Sequence, residues 1–386
     1  MKYKLSEIAL FNPTETLKKG TLAKKVGMDK LQPFCRDIPD YEIAEFSGGM
    51  KFRNGDTIMA RITPCLENGK TAKVNILDTE EVGFGSTEYI VFRAIDGVTD
   101  EDYLYYLVCS PIVRDIAIKS MVGSSGRQRV QTDVVKGIEV ELPTLDEQRK
   151  IGSLLKILDD KIAVNNEINE NLEQQISSIY ANFFESKSWK PCELGSIIDV
   201  KDGTHDSPKP QTSGYLLVTS KHLLPYGVDR ITPNRITEKD FKKINERSLV
   251  EQGDVLMSMI GTIGLISFVT EREIDYAIKN VALFKTSRTP NLAYYFLTFL
   301  KSNKTQQYID MCLAGSTQKY ISLGELRKMP IPVPDSETLE CFNEIISPMY
   351  QAIILNSQEN DAFAAIRDTL LPKLISGELD GSDIDL

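Results

Sequence analysis

Two stretches of the chain share a 4-3 spacing of mostly apolar residues, which predicts two long helices with one apolar seam each. The first seam comprises Ile151, Leu155, Leu158, Ile162, Asn165, Asn169, Leu172, Ile176, Ile179 and Phe183. The second comprises Phe342, Ile346, Met349, Ile353, Asn356, Asn360, Phe363, Arg367, Leu370 and Leu374. Every position in the first seam precedes its counterpart in the second by 191 residues, and the two asparagines recur in register. The pattern is typical of coiled-coil helices, and its recurrence indicates an internal duplication.

Shorter matches outside the helices extend the duplication. GDTIMARI from Gly55 corresponds to GDVLMSMI from Gly253, and each is a turn that leads into an apolar strand. GSSGRQRV from Gly123 corresponds to GSTQKYI from Gly315. In both copies a β-type stretch and a proline follow before the long helix begins.

The pattern therefore predicts an α+β protein with two similar α/β domains and two long helices. The predicted segments are residues 1–143 and 188–334 for the domains, 144–187 and 335–376 for the helices, and 377–386 for an acidic tail. Each domain is expected to contain short strands and one amphipathic helix, Asp102 to Ser120 in the first and Leu292 to Cys312 in the second.

Duplicated units tend to pack about a two-fold axis, which would set the two long helices antiparallel, seam against seam. Asparagine at a seam position costs stability but specifies register. If the axis passes through the middle of each seam, Asn165 faces Asn360 and Asn169 faces Asn356.

The net charge of −10 taken alone speaks against a nucleic-acid partner, but its distribution changes that picture. Residues 1–143 and 188–334 carry 19 Lys and Arg each, whereas residues 335–386 carry 2 against 11 Asp and Glu. Two blocks can therefore contact an anionic partner while the acidic end stays away from it.

Other features predict a protein whose cysteines are reduced thiols and which does not span a membrane. The 6 cysteines form no CxxC pair, and 2 histidines are too few for the usual zinc sites, so we expect no metal in this chain. The longest apolar runs fall short of the roughly 18 residues of a membrane span, and the N-terminus does not look like a signal peptide. We expect a cytoplasmic location.

Catalytic motifs fail when they are compared with the sequence. Gly69-Lys70-Thr71 ends like a phosphate loop, but Pro64 stands where the loop requires its first glycine. Asn12-Pro13 lacks the second proline and the aromatic residue of adenine methyltransferases, and no GxGxxG follows a strand. Both histidines lie in one block, so no histidine triad can be duplicated. We expect no catalytic site.

Over its whole length the chain resembles the specificity subunit of type I restriction–modification systems. Besides the duplication, the resemblance rests on GSTQKYI before a strand and a proline, DGTH from Asp202, LPTLDEQRKI at the first long helix and LLPKLISGEL from Leu370. The second copy departs from the pattern, because VPDSETLE replaces LPTLDEQ.

The resemblance implies two target recognition domains joined by the antiparallel helices, each domain recognising one half of an interrupted double-stranded DNA sequence. The helices would set the gap between the half-sites and bind two copies of an adenine-N6 methyltransferase subunit. Restriction subunits that translocate DNA would complete the complex, and S-adenosylmethionine, ATP and Mg²⁺ would belong to those partners. A helix of 33 residues spans roughly 50 Å, which corresponds to about 15 base pairs.

Position and residue type suggest DNA contacts, since Arg, Gln and Asn form paired hydrogen bonds to bases and Lys, Ser and backbone N–H groups contact phosphates. The candidates in the first block are Arg61, Lys70, Arg127, Gln128 and Arg129. Those in the second are Lys201, His205, Lys209, Lys221, His222, Thr262, Gln318, Lys319 and Tyr320.

Two other functions remain as alternatives. A coiled-coil adaptor with two protein-binding domains agrees with the acidic net charge. An active methyltransferase is disfavoured by the missing motifs. A basic concavity on each block would favour DNA recognition over the adaptor.

Overall fold

The computed structural model describes residues 2–124, 126–185, 189–315 and 319–383, which form two compact units. Unit 1 comprises Met1–Asn165 and Glu359–Leu386, and unit 2 comprises Asn166–Gln358. Each unit thus combines one sequence block with half of each long helix, which differs from the five consecutive segments drawn from the sequence.

Unit 1 is built from short strands and helices around a central antiparallel sheet. Its strands are β1 (Lys2–Lys4), β2 (Ala9–Phe11), β3 (Leu22–Val26), β4 (Glu42–Glu45), β5 (Met50–Phe52), β6 (Thr57–Ala60), β7 (Thr71–Lys73), β8 (Gly83–Gly85), β9 (Tyr89–Ala94) and β10 (Glu139–Glu141). Its helices are α1 (Leu5–Ile8), α2 (Glu101–Cys109), α3 (Pro111–Lys119), α4 (Thr132–Lys136) and the first half of α5 (Leu145–Tyr180). The central sheet has the order β2-β9-β6-β7, a second sheet has the order β4-β3-β8-β5, and β1 pairs with β10.

Unit 2 has a comparable set of elements. Its strands are β11 (Pro191–Glu193), β12 (Val200–Asp202), β13 (Tyr215–Val218), β14 (Leu223–Leu224), β15 (Gly227–Val228), β16 (Arg235–Ile236), β17 (Val255–Ser258), β18 (Ile266–Phe268), β19 (Tyr276–Ile278), β20 (Val281–Phe284) and β21 (Pro330–Pro332). Its helices are α6 (Glu238–Ser248), α7 (Pro290–Lys301), α8 (Asn303–Met311), α9 (Leu323–Lys328) and the first part of α10 (Ser336–Ile375). The second half of α5 also belongs to unit 2.

The two units share their strand order, as the duplication predicts. The central sheet of unit 2 has the order β12-β20-β17-β18, and β11 pairs with β21 as β1 pairs with β10. One parallel pair recurs outside the central sheet, β3 with β8 in unit 1 and β13 with β19 in unit 2. The fold is therefore two copies of one α+β arrangement with different loops.

The repeated glycine-aspartate turn explains part of this shared fold. Gly55 and Gly253 have φ values of +87° and +86°, a conformation that favours glycine. The aspartate that follows is buried in both copies: Asp56 accepts from Arg93 Nε at 2.6 Å, and Asp254 accepts from Lys285 Nζ at 2.6 Å. The same turn, whose buried aspartate pairs with a basic side chain, thus starts the central strand β6 or β17 in each unit.

Both long helices begin at equivalent capped positions despite their different sequences. Thr144 and Glu147 form a reciprocal capping box before α5, in which the Thr144 N–H donates to Glu147 Oε2 at 2.8 Å. Before α10, Asp335 Oδ1 accepts from the N–H of Thr338 at 2.8 Å. The sequence change at the start of the second helix therefore preserves an N-cap.

The predicted seams are the packed faces of the helices, since none of the twenty seam side chains is exposed and all twenty lie in the described residues. In unit 1, Ile151 and Leu155 near the start of α5 cluster with Leu374 near the end of α10. In unit 2, Ile176 near the end of α5 clusters with Phe342 near the start of α10. The helix pair is antiparallel within each unit, as predicted.

The seam asparagines form the pairs that the symmetry argument expects. In unit 1, Asn165 Nδ2 donates to Asn360 Oδ1 at 2.9 Å. In unit 2, Asn356 Nδ2 donates to Asn169 Oδ1 at 2.8 Å. Their role in specifying register stays a prediction.

The expected amphipathic helix of each domain is broken into two. Between α2 and α3 the chain turns at Ser110 because Pro111 has no N–H to continue the α2 hydrogen bonds. Between α7 and α8, Ser302 is extended and its side chain accepts from the N–H of Thr305, which caps a new helix. The periodicity continues across both breaks, which is why the sequence predicted one helix.

No helix in the described part of the chain has the length and hydropathy of a membrane span.

Candidate nucleic-acid interface

One end of the central sheet gathers several loops in each unit. In unit 1, β6 ends at Ala60 opposite Tyr89, where β9 begins. In unit 2, β17 ends at Ser258 opposite Val281, where β20 begins. The strands β2 and β12 also end on this side, so the loops that follow them lie near the same sheet end. We call this region the loop end of each unit.

In unit 1, the segment around Gln128 crosses the loop end and lies beside the loop that follows β6. Arg129 forms β-bridges with Ile62 and Val122. The N–H of Thr63 donates to the Gln128 carbonyl at 3.0 Å, and the N–H of Val130 donates to the Arg61 carbonyl at 2.9 Å. The fold therefore brings together two predicted candidates, Arg61 and Arg129, that are far apart in sequence.

Glu88, directly before β9, connects these two arginines. Its carboxylate accepts from Arg129 Nε at 2.9 Å and Nη2 at 2.6 Å, and from Arg61 Nε at 3.2 Å. The hydrogen bond from Arg129 is the main cause that lowers the pKa of Glu88 below its usual value of 4.5, and Arg61 adds to it. Both guanidinium groups are consequently held at the loop end by an ionised carboxylate.

The other unit 1 candidates differ in their exposure and in whether their side chains have a partner. Arg127 is exposed, and its side chain makes no hydrogen bond or ion pair with the described residues. Gln128 is half-buried. Lys70 is also half-buried, and its Nζ donates to the Met28 carbonyl at 2.7 Å. Of these three, Arg127 is the one that is exposed and has no side-chain partner among the described residues.

The equivalent segment in unit 2 carries a different set of side chains. Tyr320 bridges Ile260 and Ala314, and the N–H of Ile321 donates to the Met259 carbonyl at 3.1 Å. These contacts match those of Arg129 and Val130 in unit 1, so Tyr320 takes the place of Arg129. Tyr320 and its neighbour Lys319 are exposed, as is Thr262 in the loop after β17, whereas Gln318 lies outside the described residues.

The DGTH segment follows β12 at the same end. Its glycine is required, because a Cβ on Gly203 would lie 2.2 Å from the Ile278 carbonyl oxygen. His205 Nε2 lies 3.0 Å from the Asp202 carboxylate, and its Nδ1 lies 2.7 Å from Asn280 Oδ1. Asn280 directly precedes β20, as Glu88 directly precedes β9.

The remaining unit 2 candidates divide into exposed and buried groups. Lys209 and Lys221 are exposed, and Lys201 is half-buried with its Nζ 3.6 Å from Asp199. His222 is only 3% exposed, and its Nδ1 accepts from the Thr219 N–H at 3.0 Å. Because His222 is buried and bonded within the turn at Thr219, it is not placed for a surface contact, and burial lowers its pKa.

The sequence did not identify Glu88 and Asn280 as site residues. Both stand one residue before equivalent strands, in TEYIVF and KNVALF, and an alignment of these two stretches shows only that the two positions are equivalent. Asn280 also has φ +54°, which is uncommon outside glycine and accompanies its contact with His205.

The described residues contain no group of three or more His, Cys, Asp or Glu side chains that could hold a metal ion. The loop ends instead present guanidinium, ammonium, imidazole, amide and phenol groups, which are donors and acceptors for base edges and phosphates.

Comparison with known proteins agrees with this picture. The sequence model of the family described as type I restriction modification DNA specificity domain matches twice, over residues 1–174 and 186–363. The chain belongs to this family. The two matches coincide with the duplication.

Relatives and a solved structure extend the comparison. The MjaIX specificity subunit of Methanocaldococcus jannaschii is 27% identical over 315 residues, which cover 74% of this chain and 70% of the relative. The HindI specificity subunit of Haemophilus influenzae is 20% identical and covers 85% and 87% of the two chains. The crystal structure of the type I S subunit from M. genitalium matches 97% of this chain and 96% of its own, with a TM-score of 0.57 at 14% identity. The structural likeness supports the fold.

Proposed function

We propose that this specificity subunit recognises an interrupted double-stranded DNA target, with each unit recognising one half-site through its loop end. The observation that carries the proposal is the combination of a shared scaffold with different side chains at equivalent positions. Arg129 in unit 1 corresponds to Tyr320 in unit 2, and Glu88 corresponds to Asn280. A duplicated scaffold with divergent contact residues is what recognition of two different base sequences requires.

Charge supports the same proposal. The exposed candidates Arg127, Lys209, Lys221 and Lys319 are basic, and phosphate contacts from Lys and Arg supply most of the sequence-independent affinity for DNA. The candidates with forked or ring side chains, Arg61, Arg129 and His205, lie at the loop ends, where they can be directed at base edges.

The long helices provide the second part of the proposed function. We infer that they set the gap between the half-sites and bind two copies of a methyltransferase subunit, with translocating restriction subunits joining the complex. The catalytic chemistry, together with S-adenosylmethionine, ATP and Mg²⁺, then belongs to those partners and not to this chain.

Methylation mapping tests the proposal. A host genome sequenced for N6-methyladenine with and without this chain should show one interrupted motif that depends on the chain. Replacing residues 1–143 by the corresponding domain of another specificity subunit should change one half of that motif and leave the other half intact. If no interrupted motif depends on the chain, or if both halves change together, the proposal is wrong.

The adaptor alternative predicts a different result in a binding experiment. A protein-binding adaptor would show no sequence preference among DNA duplexes and no change of methylation pattern on domain exchange. The exposed basic candidates Arg127, Lys209, Lys221 and Lys319 favour DNA recognition over this alternative.

A further inference from the structure

Glu88, Arg61 and Arg129 form a cluster, here called the Glu88 cluster, that leaves one edge of each guanidinium group without a partner among the described residues. Arg129 uses its Nε and Nη2 for the carboxylate, and Arg61 uses its Nε. On both guanidinium groups the terminal edge, formed by Nη1 and the outer N–H of Nη2, has no partner among the described residues. The side chains of Arg61 and Arg129 are 34% and 46% exposed, so these edges can be reached from solvent.

A terminal guanidinium edge with two parallel N–H groups matches the O6 and N7 acceptors of guanine in the major groove. We propose that Glu88 is a positioning residue for sequence recognition, which holds Arg61 and Arg129 so that their terminal edges meet guanine in the first half-site. The inference deepens the proposed function and rests on it.

Two physical arguments favour base contact over phosphate contact for this pair. An arginine held by a carboxylate loses less conformational freedom on binding than a free one, which favours a contact that demands fixed geometry. The carboxylate also reduces the net charge of the cluster to +1 and would repel a nearby phosphate. Arg127, which has no partner among the described residues, is better suited to the phosphate contact.

Unit 2 does not have a carboxylate that holds two arginines at the equivalent positions. The positions equivalent to Arg61, Arg129 and Glu88 are Met259, Tyr320 and Asn280. None of the three is charged, so the second half-site cannot depend on an arginine pair at these positions.

The local backbone does not need the Glu88 side chain. The N–H of Arg61 donates to the Glu88 carbonyl at 2.9 Å, and the N–H of Val130 donates to the Arg61 carbonyl at 2.9 Å. Both bonds are made by the main chain, so substitution of the carboxylate should leave the two loops in place.

The experiment selects bound sequences from a library of duplexes with two random half-sites and variable gaps. The probe protein is the full chain, in whatever assembly it is purified with. It is compared with Glu88→Gln, Glu88→Ala and Asp146→Asn. The last is a matched control, because it removes a carboxylate from an exposed carboxylate–arginine pair on α5, Asp146 with Arg149.

We expect the wild-type chain to require at least one guanine in the first half-site. Both Glu88 variants should weaken that preference by about fivefold or more, leave the second half-site unchanged, and bind an unrelated duplex as well as or better than the wild type. The control should behave like the wild type, and thermal unfolding should show that all the variants are folded.

Three results would overturn the inference. One is a first half-site without guanine. Another is guanine preference unaltered in both Glu88 variants. The third is equal weakening of specific and unrelated duplexes, which would indicate general damage to the surface. Failure of the wild type to select any interrupted sequence would instead remove the proposed function itself, and the inference with it.

Discussion

At the scale of single residues, the role open to a basic side chain depends on which groups already hold it. Arg61 and Arg129 share the Glu88 carboxylate, Lys70 donates to a backbone carbonyl, and Arg127 has no partner in the described part of the chain. Residue type alone put these four in one class, whereas their surroundings distinguish them, and the proposed division between base contact and phosphate contact follows that distinction.

Arg127→Ala should weaken binding to all duplexes by a similar factor. A phosphate contact carries no sequence information, so the preferred bases should not change. The slope of log affinity against log salt should fall by about 1, since one fewer counterion is released. Arg149→Ala on α5, also an exposed arginine, is the control. A changed base preference would show that Arg127 contacts a base.

His222 should make unfolding depend on pH. Burial lowers its pKa below the usual 6.5, so the unfolded chain takes up a proton at higher pH than the folded chain does. The contribution of neutral, buried His222 to the stability of the folded chain is complete above pH 6.5. It decreases as the pH falls from 6.5 toward the lowered pKa of the folded state. Nearby Lys221 lowers this pKa further, and Asp229 opposes the shift.

Chemical denaturation between pH 8 and 5 measures this effect. As the pH is lowered, the free energy of unfolding should decrease less steeply in His222→Asn than in the wild type. The two slopes should differ by at most about 1.4 kcal/mol per pH unit. His205→Asn, which keeps His222 and removes the exposed histidine, is the comparison. Parallel curves for the wild type and His222→Asn would contradict the prediction.

At the scale of elements, the two long helices share one seam pattern, but at one seam position an apolar residue in the first helix corresponds to a charged residue in the second. Where α5 has Ile176, α10 has Arg367. Arg367 Nη1 donates to Asp159 Oδ1 at 2.6 Å, and the Tyr106 hydroxyl donates to Asp159 Oδ2 at 2.6 Å. Asp159 is 6% exposed, so unit 1 replaces an apolar contact with a buried ion pair between α5 and α10.

Arg367→Met should destabilise unit 1 by about 3–5 kcal/mol, because it leaves the Asp159 carboxylate buried without its cation. The double variant with Asp159→Leu should recover most of that loss, since a well-packed apolar pair often replaces a buried ion pair at little cost. Hydrogen exchange along the first half of α5 reports on unit 1 separately. If the double variant is no more stable than Arg367→Met, the loss does not come from an uncompensated charge.

These elements also show how far the sequence could predict the structure. The seam periodicity located both long helices, because a 4-3 repeat over about five heptads admits few alternatives. Their antiparallel packing was predicted separately, from the tendency of duplicated units to pack about a two-fold axis. The strand order could not be derived, since β2 pairs with β9 from Ala9 to Ala94 across some eighty residues without a local pattern. Glu88 was missed for the same reason: nothing near it in sequence shows that Arg61 and Arg129 converge on it.

At the scale of the whole molecule, the duplication preserves the scaffold and varies the loops. Both units keep the central sheet order, the glycine-aspartate turn with its ion pair, and one asparagine pair in the helix seam. The loop ends differ in charge, ring content and side-chain length. Under the proposed function, recognition of one half-site can therefore change while the scaffold and the helices remain the same.

The proposed spacer role of the helices leads to a prediction about gap length. Seven residues added to α5 after Asn169, and seven to α10 directly before Asn356, keep both seams in phase and keep these asparagines in pairing distance of their partners. The addition lengthens each helix by ~10 Å. Because base pairs are spaced by ~3.4 Å, the preferred gap should grow by up to about three base pairs, with both half-sites unchanged.

Selection from the duplex library with variable gaps measures this directly. An insertion of two residues in each helix at the same places is the control, because at 3.6 residues per turn it rotates the seam by about 200°, away from its partner, and should reduce folding and selection together. Thermal unfolding should show that the variant with seven added residues in each helix is folded. An unchanged gap preference in that folded variant would mean that the helices do not set the distance between the half-sites, and that another part of the assembly does.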